Sequence, residues 1–195
     1  MMNETLSTLL ARRSIRSFED RPLSRETLEA ILEAGRYAPS GGNSQLCHFT
    51  VILSRPTLDR LNQIATTSFA AMEETPGMYK SMANAIRRAR TGPVDYWYGA
   101  PVLVVVSNRK SHPNAMADSA CAIENMMVAA TSLGIGSCWI NQIKWLSDDP
   151  AMRICLEELG ITGDECICGS VALGVPAQTP GAPLARTGNP VTWIE

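Results

Sequence analysis

The segment Arg12-Arg13-Ser14-Ile15-Arg16-Ser17-Phe18 concentrates three guanidinium groups and two hydroxyls between Arg12 and Ser17. Forked, charge-assisted donors together with compact hydroxyl donors are what a phosphate dianion requires. A second segment follows after one helix-length stretch: Ala38-Pro39-Ser40-Gly41-Gly42-Asn43-Ser44-Gln45. Gly41 and Gly42 lack Cβ atoms, so backbone amides can approach a flat ligand closely, and Asn43 and Gln45 each offer an amide donor pair and an acceptor. One segment suits a phosphate and the other a heteroaromatic ring. Taken singly, the first reads as a solvated helix end and the second as a turn.

Little else in the chain could react. There is no Gly-x-Ser-x-Gly elbow, and with His48 and His112 as the only imidazoles a hydrolytic triad has few orienting bases. His48 stands directly before the apolar run Phe49-Thr50-Val51-Ile52-Leu53, so it reads as a strand end rather than a base. Cys166-Ile167-Cys168 invites a metal reading, but no second cysteine pair lies at zinc-site spacing. On a strand both sulfurs share a face, and buried core thiols are the expected role. The reactive chemistry is therefore expected from a cofactor, which the protein binds, orients and polarises.

The two segments, in this order, resemble the signature of the FMN-dependent nitroreductase family: an Arg-rich Ser-x-Arg segment followed by a Pro-Ser-x-x-Asn-x-Gln loop. The resemblance continues through Leu133-Gly134-Ile135-Gly136-Ser137-Cys138-Trp139-Ile140 and the closing Leu173-Gly174-Val175-Pro176 with Arg186 and Trp193. It implies that Arg12, Arg13, Ser14 and Arg16 hold the FMN phosphate and ribityl chain, joined by Arg186. It also implies that Pro39, Ser40, Gly41, Asn43 and Gln45 line the isoalloxazine from the partner subunit of an intertwined homodimer. Trp139, Ile140, Asn141 and Gln142 then place backbone amides near flavin N5 and O4, where fixed dipoles favour the reduced ring without a titrating side chain. No side chain is expected to be catalytic. The chain departs from the family at Leu46-Cys47, commonly Pro-Trp, at Asn141-Gln142, and at Leu184, where many relatives place a lysine.

The elements that must position these residues follow from pattern. A helix over about 4–12, with Leu6, Leu9 and Leu10 at helical spacing, delivers the basic segment at its end. Ser24 caps a second helix, Leu23 and Leu28 form a hydrophobic staple, and Pro39 ends it. Strands are predicted at 48–53, 102–106, 137–140 and 167–173, and helices from Pro56 to Arg90 with a break at Pro76-Gly77, from Asn114 to Leu133, and from Pro150 to Gly160. Val102 to Val106 suits a strand buried on both faces. The glycine loop follows a helix and precedes a strand, the reverse of doubly wound nucleotide folds. Residues 63–99 match nothing in the family. Within them, Tyr96-Trp97-Tyr98 reads as interface packing or, alternatively, as a cap on the flavin face or the substrate channel, and Arg87, Arg88 and Arg90 as a solvated helix face or a site for the extra phosphate of NADPH.

At 195 residues with 45% hydrophobic and 18% charged content, the chain suits one domain. The net charge of −2 argues against nucleic acid or an anionic membrane surface as partner. Irregular cysteine spacing, with no apolar signal core after Met1, points to a reducing cytoplasm. The expected architecture is α+β, a three-layer sandwich of helices over a mixed, mostly antiparallel sheet. It forms a single domain over 1–195, with 63–99 as a variable lid or insert and the proline-rich 174–195 as an extension wrapping the partner. The expected activity is hydride transfer from NADH or NADPH through FMN to a nitroaromatic, quinone or enone by a ping-pong mechanism. The alternatives are an FMN carrier without turnover, or a dehalogenating or flavin-processing relative.

Overall fold

The valine-rich run from Val102 to Val106 lies at the centre of the molecule. The computed structural model describes residues 2–195, with helices α1 (Glu4–Ala11), α2 (Arg25–Arg36), α3 (Arg55–Ala71), α4 (Lys80–Thr91), α5 (Ala115–Ser132), α6 (Gln142–Trp145) and α7 (Pro150–Glu158). The strands are β1 (His48–Ile52), β2 (Val102–Arg109), β3 (Gly136–Ile140) and β4 (Glu165–Gly174), in the order β1-β2-β4-β3. Alternation along β2 divides the core. Val102, Val104 and Val106 pack with Leu28, Ile31, Ile123 and Met126 of α2 and α5, whereas Leu103 and Val105 pack with Leu58, Phe69, Ile86 and Leu156 of α3, α4 and α7. Period-two side-chain alternation thus buries both faces of one strand and produces the three layers.

Local signals set the helix limits. The Ser24 hydroxyl accepts the Thr27 N–H at 3.1 Å, the Ser54 hydroxyl caps α3 through Thr57 N, and the Asp149 carboxylate accepts from Ala151 and Met152 at the start of α7. Gly134 and Gly160, at φ 72° and 85°, follow the ends of α5 and α7, where the left-handed backbone favours glycine.

Every ladder in the sheet is antiparallel and the parallel component is a single bridge between Ser14 and Ser137, in keeping with the mostly antiparallel sheet expected. Three features differ from the sequence expectation. A four-residue helix, α6, follows β3, too short to leave a periodic pattern. Tyr96 and Trp97 are interior core residues, each 1% exposed, rather than interface residues. Arg90 is also more than a solvated charge: its guanidinium donates to the carbonyls of Ala70 and Met72 at the C-terminal end of α3. β4 carries one extra residue, Cys168, opposite the Val106–Ser107 step, and Cys166 and Cys168 have their sulfurs 4.0 Å apart. No helix among the described residues is long and apolar enough to cross a membrane.

Candidate active site

The basic segment leaves α1 and runs alongside the free edge of β3. Ile15 N donates to Ser137 O at 2.9 Å and Ser14 bridges Ser137 in parallel, a register that carries Arg16 forward beside Trp139. Gly136 eases this close approach, because a Cβ at this position would sit 3.0 Å from the Ile15 side chain, tighter than an ordinary contact. The three arginines part company. Arg12 Nε donates to Glu124 of α5 at 3.1 Å, which holds its side chain against the long helix. Arg13 donates to the carbonyl of Leu10 at 2.9 Å, capping α1, while its buried Nε has no partner among the described residues. The exposed Arg16 forms no ion pair among them and lines a cavity of about 270 Å³ with Cys138, Trp139, Ile140, Asn141 and Gln142.

That cavity is bordered by a fixed indole and by the start of α6. Trp139 Nε1 donates to Asn141 Oδ1 at 2.8 Å, so the indole is fixed and the Asn141 side chain is unavailable to cap α6. The first N–H groups of α6 are left without a side-chain partner. Tyr79, Ser81, Tyr98 and Trp145 complete the lining. Tyr79, Trp145 and Phe69 form an edge-to-face chain, with centroids 5.9 Å apart for the first pair and 6.4 Å for the second.

The glycine loop builds a second cavity, about 490 Å³, lined by Pro39, Ser40, Gln45, Cys47, His48 and Asp118 among others. The two cavities share no lining residue. Ser40 Oγ accepts the Gln45 N–H at 3.1 Å and closes the loop around a turn of 3₁₀ helix, Gly41–Asn43. Asn43 and Gln45, whose amide heads are exposed, have left-handed backbones at φ 55° and 51°. Such conformations in non-glycine residues cost energy and persist where the surroundings impose them.

What imposes them is a buried residue on α5, Asp118, which sequence reasoning passed over. Its carboxylate accepts the Gly41 N–H at 3.1 and 3.2 Å, the Ser44 hydroxyl at 3.3 Å and His112 Nε2 at 2.7 Å. The bond from His112 foremost, with that from Gly41, holds the carboxyl below its ordinary 3.8, although burial pushes it up. The Gly41 amide is therefore committed to Asp118, and a Cβ on Gly41 would lie 2.2 Å from Asn114 Nδ2. Ser44, His112 and Asp118 are not a catalytic triad: the hydroxyl and the carboxylate address the same ring nitrogen.

His48 opens β1, and its Nδ1 lies 2.9 Å from Glu165. Burial pushes the Glu165 carboxyl up, but donors from Thr162, His48 and Ser107 outweigh it and hold it below its ordinary value. Burial raises the Cys47, Cys138 and Cys155 thiols, and pushes Cys168 up to about 11. Arg186 lies on a segment exposed throughout from Ala177 to Glu195.

The family model described as the nitroreductase family matches residues 9–175, most of the chain. The chain belongs to the nitroreductase family. A crystal structure of a nitroreductase with bound FMN from Bacteroides fragilis is 38% identical, with a TM-score of 0.89 and full coverage of both chains. A nitroreductase with bound FMN from Desulfitobacterium hafniense is 28% identical, with a TM-score of 0.85 over the same coverage. A 4-nitrobenzoate reductase of Nocardioides is 30% identical over 92% of this chain and 84% of its own length. The nitroreductase fold explains the layer order. Within this fold, Arg16 with Trp139–Gln142, and separately the loop with Asp118, border the two cavities described above.

Proposed function

We propose that this nitroreductase is an FMN-dependent NAD(P)H oxidoreductase and that its active form is a homodimer. The observation that carries the reading is the pairing of residues 14–16 with β3. It lays hydroxyl and guanidinium donors along the same edge as the residues that line the ring cavity. The fit to FMN rests on this donor set and on the buried Nε of Arg13 and Oγ of Ser137 beside the segment, which have no partner among the described residues. Arg12, Arg13 and Ser14 serve the phosphate end, with Arg186 reaching it from the tail. Arg16 stands at the ring end, where its charge favours electron density on the ligand.

When bound, FMN supplies two-electron hydride chemistry, taken from NADH or NADPH and passed to a small oxidised acceptor, a nitroaromatic, quinone or enone, in a ping-pong cycle. The chain's own residues bind, orient and exclude water. Pro39, Ser40, Asn43 and Gln45 act from the partner, because within one chain their cavity is separate from that of Arg16. Leu6, Leu9 and Leu10 of α1 are exposed, as are Val191, Trp193 and Ile194 of the tail, apolar surface that a second copy would bury. The unit is a single domain over 1–195, with 63–99 as its variable part and 174–195 wrapping the partner. Six free cysteines suit a reducing cytoplasm.

The test is an anaerobic titration of the FMN-loaded protein with NADH and NADPH. Bleaching by a stoichiometric amount of either supports the enzyme, and bleaching by dithionite alone identifies a flavin carrier.

A further inference from the structure

The stretch between α3 and β2, which matches nothing in the family signature, supplies Tyr79, Ser81 and Tyr98 to the cavity beside Trp139–Gln142. Tyr98 reaches it through a backbone anomaly. Its neighbours Tyr96 and Trp97 are buried in the core, but Tyr98 has φ 61°, a left-handed conformation that a bulky residue adopts only under constraint. The constraint is visible. Asp95 accepts the Trp97 N–H at 3.0 Å and the Gly99 N–H at 2.6 Å, one on each side of Tyr98. Asn62 of α3 anchors the turn by donating to Asp95 at 3.1 Å and accepting the Tyr96 N–H at 2.9 Å. The ring of Tyr98 is therefore held at the cavity by this turn. Tyr79, by contrast, is 64% exposed, and its one ring contact is with Trp145. Neither phenol has a hydrogen-bond partner among the described residues.

We propose that Tyr98 is a specificity-determining residue: with Tyr79 as its adjustable counterpart, it makes an aromatic slot that selects flat aromatic electron acceptors over compact non-aromatic ones. Asp95 is a positioning residue that acts through Tyr98. The inference rests on the reading of this cavity as the one that holds the flavin ring.

The experiment uses the FMN-loaded protein and its Tyr98→Ala, Tyr98→Phe, Tyr79→Ala and Asp95→Asn variants, with FMN content read on every sample. KM and kcat are measured with nitrobenzene and with ferricyanide. Benzoate, a flat ligand that is not reduced, is titrated against the absorbance of the oxidised bound flavin. For Tyr98→Ala, the ratio of the nitrobenzene KM to the ferricyanide KM rises about three- to tenfold, the size of one aromatic contact, and benzoate binding weakens equally. Tyr98→Phe restores both, and Tyr79→Ala gives a smaller change in the same direction. Asp95→Asn follows Tyr98→Ala, and the double variant adds little, as expected when one residue acts through the other. Equal KM changes for the two acceptors, unaltered benzoate binding, or loss of FMN from the Tyr98 variants overturns the proposal alone. A wild-type protein that NAD(P)H does not bleach overturns the functional reading and this inference with it.

Discussion

The carboxylate of Asp118 holds the backbone N–H of Gly41 at 3.1 Å, tying α5 to a loop 77 residues earlier in the chain. The same carboxylate takes His112 and Ser44, so a single buried group fixes the loop that offers Asn43 and Gln45. Asp118→Ala is expected to weaken FMN binding by about tenfold, the equivalent of one or two lost hydrogen bonds, with Asp118→Asn between it and wild type. Fluorescence titration of FMN checks this, and equal affinities would detach the loop from flavin binding.

The depressed carboxyl of Asp118 also predicts an acid limit. A carboxylate more acidic in the folded than in the unfolded chain stabilises the fold above its unfolded value, here 3.8, and that contribution is lost as the pH falls through the lower folded value. The difference in thermal midpoint between wild type and Asp118→Asn should therefore shrink as the pH falls below about 4. A difference that persists unchanged to about pH 3 would assign it to packing.

The separation of the arginines gives a test of the phosphate clamp. Charge-assisted hydrogen bonds contribute about 1.5–3 kcal/mol each, so Arg12→Ala should weaken FMN binding roughly tenfold to a hundredfold while affecting riboflavin far less. Arg16→Ala, at the ring cavity, should weaken both ligands, as should Asn43→Ala. If Arg12→Ala leaves the preference for FMN over riboflavin unchanged, the phosphate lies elsewhere.

How much of this was legible in the sequence depended on the range of the forces involved. The strand at Val102 was readable because burial on both faces leaves an unbroken apolar, valine-rich run, and α2 and α3 were readable because Ser24 and Pro56 act within one turn. Asp118 was not, since its partners come from residues 41, 44 and 112, and an aspartate in an alanine-rich helix carries no mark of burial. Tyr96, Trp97 and Tyr98 look alike in sequence. A positive φ imposed from Asp95 and Asn62 separates the third from the first two.

Removal of the tail should be decisive for assembly. A chain ending at Pro176 keeps β4 and the bridge from Phe18 to Pro176 but loses the exposed segment with Arg186 and Trp193. Sedimentation should show monomers that no longer retain FMN. A truncated dimer that keeps its flavin would exclude the wrapping role.

The thiols should be bystanders in turnover. Burial raises Cys47, Cys138, Cys155 and Cys168, so little thiolate exists near neutral pH, while Cys121 is exposed. Alkylation of the folded protein should modify Cys121 first and leave activity in place. Inactivation with FMN still bound would bring Cys47 or Cys138 into the mechanism.

β3 lies at the rim of the sheet, and what lies along its outer side is residues 14–16 rather than another strand. An uncovered rim offers unpaired N–H and C=O groups to any other extended chain, a common start of aggregation. The segment proposed to hold the cofactor is thus also the cover on that rim. Protein made faster than it is loaded with FMN should be the fraction that precipitates, and arginine substitutions here should lower soluble yield as well as affinity.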